Sequence, residues 1–158
     1  MTFHDGHIQD VLVRDLRKYS DSRGWLIETF RSDEIHSDLL PAMAYVSSTL
    51  PGVARGPHEH ADQTDVFAFI GPSIFRIYLW DARKNSSTYR HRLRFEAGEG
   101  NPKLVVIPPG VVHAYKNIGA VDGLVLNFPN RLYAGKGKKD TVDEIRHENS
   151  VNSIYLLD

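Results

Sequence analysis

The chain has 158 residues, 41% of them hydrophobic, with 19 basic against 20 acidic side chains and no cysteine. A chain of this length buries about 70% of the surface its unfolded form exposes, so a single domain over 1–158 is expected. The balanced charge offers no global field to nucleic acid or an anionic membrane, and the missing cysteines exclude disulfides, thiolate nucleophiles and Cys-based zinc sites. No apolar run approaches the roughly 20 residues that span a bilayer, and the start MTFHDGHIQDV lacks a basic stretch followed by an apolar one. A soluble, cytoplasmic protein with no nucleic-acid or membrane partner is the expectation.

In chain order, segments rich in β-branched and aromatic residues recur between turn signals. They are DVLVRDL (10–16), GWLIETF (24–30), AYVSSTL (44–50), DVFAFI (65–70), SIFRIYLW (73–80), HRLRFE (91–96), KLVVIPPG (103–110), VVHAYKNI (111–118) and GLVLNFP (123–129). Proline, glycine and asparagine punctuate them at the spacing of about 8–12 residues expected of a sandwich or barrel. Only SDEIHSDLLP (32–41) reads as helical: Ser32 stands at a capping position, acidic residues follow, and Pro41 stops it. One short helix beside many strands argues against crossover-linked α/β architecture and for an all-β domain.

The histidines carry the chemistry. Alternation along a strand puts residues i and i+2 on one face, so His58 and His60 point the same way if HEH is extended. His113 follows a Pro-Gly turn in PPGVVHAYKN (108–117). Together, H-x-H-x4-D-x5-G and, about forty residues on, P-x-G-x2-H-x3-N resemble the two signatures of the cupin superfamily. That resemblance implies a double-stranded β-helix, a jelly-roll barrel of cupin type with one short helix. It also implies a divalent-metal site at His58, His60, Asp65 and His113, whose donor set suits Fe, Mn, Ni, Co or Zn. An isolated H-x-H is more often surface or hydrogen-bonded packing than a ligand pair, and the second motif is what raises the metal reading.

A longer resemblance narrows the branch. D-S-R-G-W-L-I-E (21–28), G-V-A-R-G-P-H (52–58), W-D-A-R (80–83) with S-S-T-Y (86–89), and I-P-P-G-V-V-H (107–113) are similar, in order, to four signatures of the dTDP-4-dehydrorhamnose 3,5-epimerase family. Membership implies a homodimer acting on a nucleotide-sugar substrate, in polysaccharide biosynthesis or a related glycosylation, with no cofactor required. It implies that His58 is the general base, that Arg55 binds the diphosphate, that Arg23 and Glu28 contact the nucleotide, and that His113 sits near the sugar ketone. Such chemistry needs a base for a weakly acidic C–H bond and a group to hold the enolate oxygen, and an arginine fork fits phosphate. Without that role, Arg23 and Glu28 would form a cross-strand ion pair, and Asp81 with Arg83 reads as a pair closing a turn.

The chain departs from the family at three supports. The tyrosine that returns the proton falls on Leu126, the lysine that holds the enolate falls on Thr64 or Asp65, and the aspartate that orients the base has no counterpart. Tyr115, on the strand face of His113, is the substitute acid expected, against a plain reading as an aromatic lining the interior. A metal at the histidines would take over the work of the lysine. Two other classes remain open at this point: a metal-dependent cupin enzyme such as a dioxygenase or small-molecule isomerase, and a non-catalytic sugar-nucleotide binding protein.

Overall fold

A computed structural model describes residues 2–158. Its strands are β1 (His4–Asp5), β2 (Leu12–Asp15), β3 (Lys18–Asp21), β4 (Gly24–Ile27), β5 (Tyr45–Thr49), β6 (Ala54–Glu59), β7 (Asp65–Phe69), β8 (Ile74–Asp81), β9 (His91–Gly98), β10 (Lys103–Ile107), β11 (Val111–Asn117), β12 (Gly123–Asn127) and β13 (Ile145–Arg146). They form a six-stranded sheet in the order β1-β9-β8-β11-β6-β13, a five-stranded sheet in the order β2-β10-β7-β12-β5, and a separate β3-β4 hairpin.

Strict alternation sorts the side chains into layers. Phe67 and Phe69 of β7, Val105 and Ile107 of β10 and Val125 of β12 meet Phe75, Ile77 and Leu79 of β8 and Val111 and Tyr115 of β11 in one buried core between the two large sheets. Each such side chain, fully buried, contributes about 1.5–3 kcal/mol. The intervening residues face outward. Val66, Ala68, Leu104 and Val106 are covered by Ile27, Ile35, Leu39 and Phe128, whereas Tyr78, Trp80, Val112 and Ala114 are covered by Phe3, Tyr155 and Leu157.

Two expectations are corrected here. The chain is all-β, but its sheets do not close into a jelly-roll barrel. No hydrogen-bonded ladder joins the two large sheets among the described residues, and β1, β13, β2 and β5 remain as edges. Closure needs strands long enough to pair continuously around the circuit, and β1 and β13 are two residues each. The short helix over 32–41 is absent as well. Only a 3-10 turn at Ser37–Leu39 forms, capped by His36 rather than Ser32. Asp33 is drawn into bonds from Arg31, and Ile35 and Leu39, four apart, anchor an irregular segment on the outer face of the five-stranded sheet.

Candidate functional site

The polar end of the inter-sheet layer is built by three strands. β7 begins with Asp65 on the inward face that continues through Phe67 and Phe69, and β11 brings His113 inward between Val111 and Tyr115. β6 pairs His58 with His113 and Arg55 with Tyr115, three residues against two, so β6 carries one extra residue. Directly opposed residues of an antiparallel pair share a face, and the bulge therefore turns both Arg55 and His58 inward, where strict alternation would separate them. Gly56 makes this bulge feasible. Its φ is +80°, and a Cβ there would lie 2.5 Å from the His113 carbonyl oxygen.

The structure brings His58, His60, Asp65 and His113 together, each offering a donor atom within 4.8 Å of the others. The His58 and His113 rings are 4.4 Å apart between centroids. His60 Nε2 and His113 Nε2 each lie 3.2 Å from Asp65 Oδ2. The second nitrogens fix the tautomers, because a carbonyl can only accept. His113 Nδ1 donates to the Val111 carbonyl at 3.1 Å, and His60 Nδ1 donates to the Asp143 carbonyl. His113 Nε2 thus faces a carboxylate oxygen, and both His113 Nε2 and Asp65 Oδ2 are buried without a hydrogen-bond partner. Such an arrangement calls for a cation between the atoms. Three imidazoles and a carboxylate, two of the imidazoles oriented by backbone carbonyls, are a donor set that fits a borderline divalent ion.

The titration of these groups follows from their crowding. Burial, and then the neighbouring His113 and His60, push the His58 imidazole down to about 2, so it is neutral. Burial alone would raise Asp65, but His113 and His60 beside it hold its carboxyl below the usual range. His60 is raised: burial works against its charge, and Asp65 and the Asp143 carbonyl outweigh it.

Arg55 hydrogen-bonds two neutral oxygens, Thr49 Oγ1 at 2.9 Å and the Ser48 carbonyl at 2.7 Å. Tyr115 is almost wholly buried among Phe67, Phe69 and Phe75, with its hydroxyl 3.2 Å from Ser47 Oγ. Arg23 and Glu28 are not brought to the cluster. Arg23 pairs with Asp21 at 2.6 Å at the tip of the β3-β4 hairpin, and Glu28 lies 3.4 Å from Arg31. Asp81 is fully buried and accepts from Arg83, Ser86 and Thr88, which closes the turn after β8. Leu126 faces outward, away from the site.

Sequence reasoning missed three residues here. Asp143 accepts the backbone N–H groups of Ala61, Asp62 and Gln63 at 2.8, 2.8 and 2.9 Å. Glu144 places Oε1 3.9 Å from His58 Nδ1. Asn127, fully buried, accepts from the Val66 N–H and donates to Asp65 Oδ1 and to the Tyr45 hydroxyl. The adjacent acids Asp143-Glu144 were a signal, but only the β13-β6 pairing, Ile145 with Glu59 and Arg146 with His58, brings them to the histidines.

A family model described as dTDP-4-dehydrorhamnose 3,5-epimerase matches residues 5–136. The chain is 39% identical over 128 residues to the probable low-salt glycan biosynthesis epimerase Agl13 of Haloferax volcanii, a match covering 80% of this chain and 81% of that protein. It is 34% identical over 128 residues to the spore coat polysaccharide biosynthesis protein SpsL of Bacillus subtilis, over 80% of this chain and 82% of that one. Among solved structures, a dTDP sugar isomerase from Desulfovibrio desulfuricans superposes with a TM-score of 0.81 at 21% identity, over 95% of this chain and 91% of its own, and shares the fold.

Proposed function

The chain belongs to the dTDP-4-dehydrorhamnose 3,5-epimerase family, and from that membership we propose how its residues move a proton beside a sugar ketone. The protein is an epimerase or isomerase acting on a nucleotide-activated 4-keto-6-deoxy sugar. In this reading His58 is the base. Burial keeps it neutral, so its lone pair is available at ordinary pH, and Glu144 near Nδ1 steadies the imidazolium that forms. The C–H electron pair passes into the enolate, whose oxygen takes the charge. His113, opposite His58, lines the site beside the ketone, with its Nδ1 proton held by the Val111 carbonyl.

Arg55 takes the diphosphate. Its present partners are neutral oxygens, which leaves its charge for an anion. His60, Asp65 and His113 would hold a divalent ion (Fe, Mn, Ni, Co or Zn), whose chemistry when bound is Lewis-acid stabilisation of the enolate oxygen. His58, though also within reach, then keeps the lone pair that coordination would consume. The chain works on this proposal in the cytoplasm and as a homodimer. Trp25 and Leu26, more than half exposed on the β3-β4 hairpin, support an interface there. The hairpin would carry Arg23 and Glu28 towards the nucleotide held by the partner copy.

One observation carries the reading: the extra residue in β6 puts the phosphate-binding cation and the base on one inward face. The test is incubation with a dTDP-4-keto-6-deoxyhexose in deuterated water, with and without divalent metal. Deuterium at C3 or C5 is expected, and its absence under both conditions rules the reading out.

A further inference from the structure

Inversion at carbon needs a proton delivered from the face opposite the base. His58 stands on β6, in the six-stranded sheet. Tyr115 stands on β11, the neighbouring strand of that same sheet, and is paired opposite Arg55. A proton from Tyr115 would come from the wall that removed it. The facing sheet offers another phenol. Tyr45 begins β5 directly opposite Asn127 on β12, and β12 turns Val125 inward and Leu126 outward. Tyr45 therefore shares the inward face of Asn127. The Asn127 Nδ2 donates to Asp65 Oδ1 at 2.8 Å and to the Tyr45 oxygen at 2.9 Å. The tyrosine is thus two hydrogen bonds from the carboxylate at the centre of the cluster.

Building on the proton-transfer role of His58, we propose that Tyr45 is the catalytic acid that this chain uses in place of the tyrosine replaced by Leu126. The hydrogen bond from Asn127 occupies an acceptor position of the phenol oxygen and leaves its O–H to be donated outward. A tyrosine phenol is protonated at working pH. Exposure separates the candidates further. Tyr45 is 45% exposed and can reload a proton from water, whereas Tyr115 is 5% exposed and its hydroxyl faces Ser47. The step balances. The C–H bond breaks towards His58 and the electron pair enters the enolate. The new C–H bond forms on the opposite face with the Tyr45 proton, and solvent then reprotonates the phenolate and deprotonates His58.

The test is the Tyr45→Phe variant with the same sugar nucleotide in deuterated water, following isotope entry and configuration separately. The expected result is deuterium incorporated with retained configuration, inverted product falling at least a hundredfold, and dTDP binding unchanged. Inversion within threefold of wild type overturns the proposal. So does the retention signature in Tyr115→Phe while Tyr45→Phe inverts normally, or loss of exchange together with inversion in Tyr45→Phe. A wild-type protein that exchanges no deuterium removes the parent reading, and this proposal with it; an active wild type with an equally active Tyr45→Phe removes this proposal alone.

Discussion

Asp143 holds His60 through two different groups. Its main-chain carbonyl accepts the ring Nδ1 proton, and its carboxylate gathers the backbone N–H groups of Ala61, Asp62 and Gln63, directly after that histidine. The ring is fixed in tautomer and in place. Burial pulls the Asp143 carboxyl upward, but those three donors win and hold it below its usual range.

Asp143→Ala strips the carboxylate from three donors at once. A loss of about 1–3 kcal/mol is expected, read as a drop of several degrees in the thermal midpoint. A variant melting with wild type would show that the 60–63 segment holds itself.

Metal content follows the lone pairs. After equilibration with Zn, Mn, Ni and Fe in turn and gel filtration, wild type should retain one of these ions, and His60→Gln at least about tenfold less of it. Equal content in both proteins, or none in either, argues that the orphaned Asp65 oxygen is met by protons alone.

Glu144→Gln keeps shape and removes charge beside His58. The imidazolium formed during turnover then loses its nearest counter-charge, and kcat should fall by roughly 10- to 100-fold with KM little changed. An unchanged kcat would leave Glu144 a purely structural member of the β13 segment.

Arg55→Ala should weaken dTDP binding by roughly 10- to 100-fold, the worth of one charge-assisted contact. Calorimetry decides it, and unaltered affinity would remove Arg55 from the diphosphate.

Stability of chelator-treated protein should peak near pH 6.5. His58 has its folded value depressed to about 2, so below about pH 6.5 the unfolded chain binds a proton that the native one does not. Stability then falls by up to about 1.4 kcal/mol per unit of acidification. His60 has its folded value raised, and its contribution, present below about 6.5, is lost as pH rises through the folded value. Urea midpoints across pH 4–9 check this, and a His58→Asn variant should lose the acid limb.

Several of these groups were legible in the sequence, and the reasons differ by residue. His58, His60, Asp65 and His113 announced themselves through spacing, because two strands and a Pro-Gly turn fix where such residues fall, and they do converge. Arg55 was visible as a neighbour of His58, but its sharing a face depends on a bulge that no alternation rule supplies. Strand β6 itself was obscured by Gly56 and Pro57, residues that ordinarily argue against a strand interior. Closure failed because motif resemblance carries no information about the length of β1 and β13. Asp143, Glu144 and Asn127 could not be placed for a common reason. Their partners in the site lie 61 to 86 residues away, and local pattern does not reach that far.

The edge position of β13 also orders events in time. A two-residue edge strand adds little to the sheet it joins, so the ladders of the other strands do not depend on it. Every strand of the two large sheets except β13 lies before residue 128, and the histidines then wait for the segment around 143–146 to dock. Appearance of the sheets and appearance of activity should therefore be separable during refolding. A cut in the exposed, lysine-bearing stretch 136–139 should leave a folded sandwich whose histidines are present but unset.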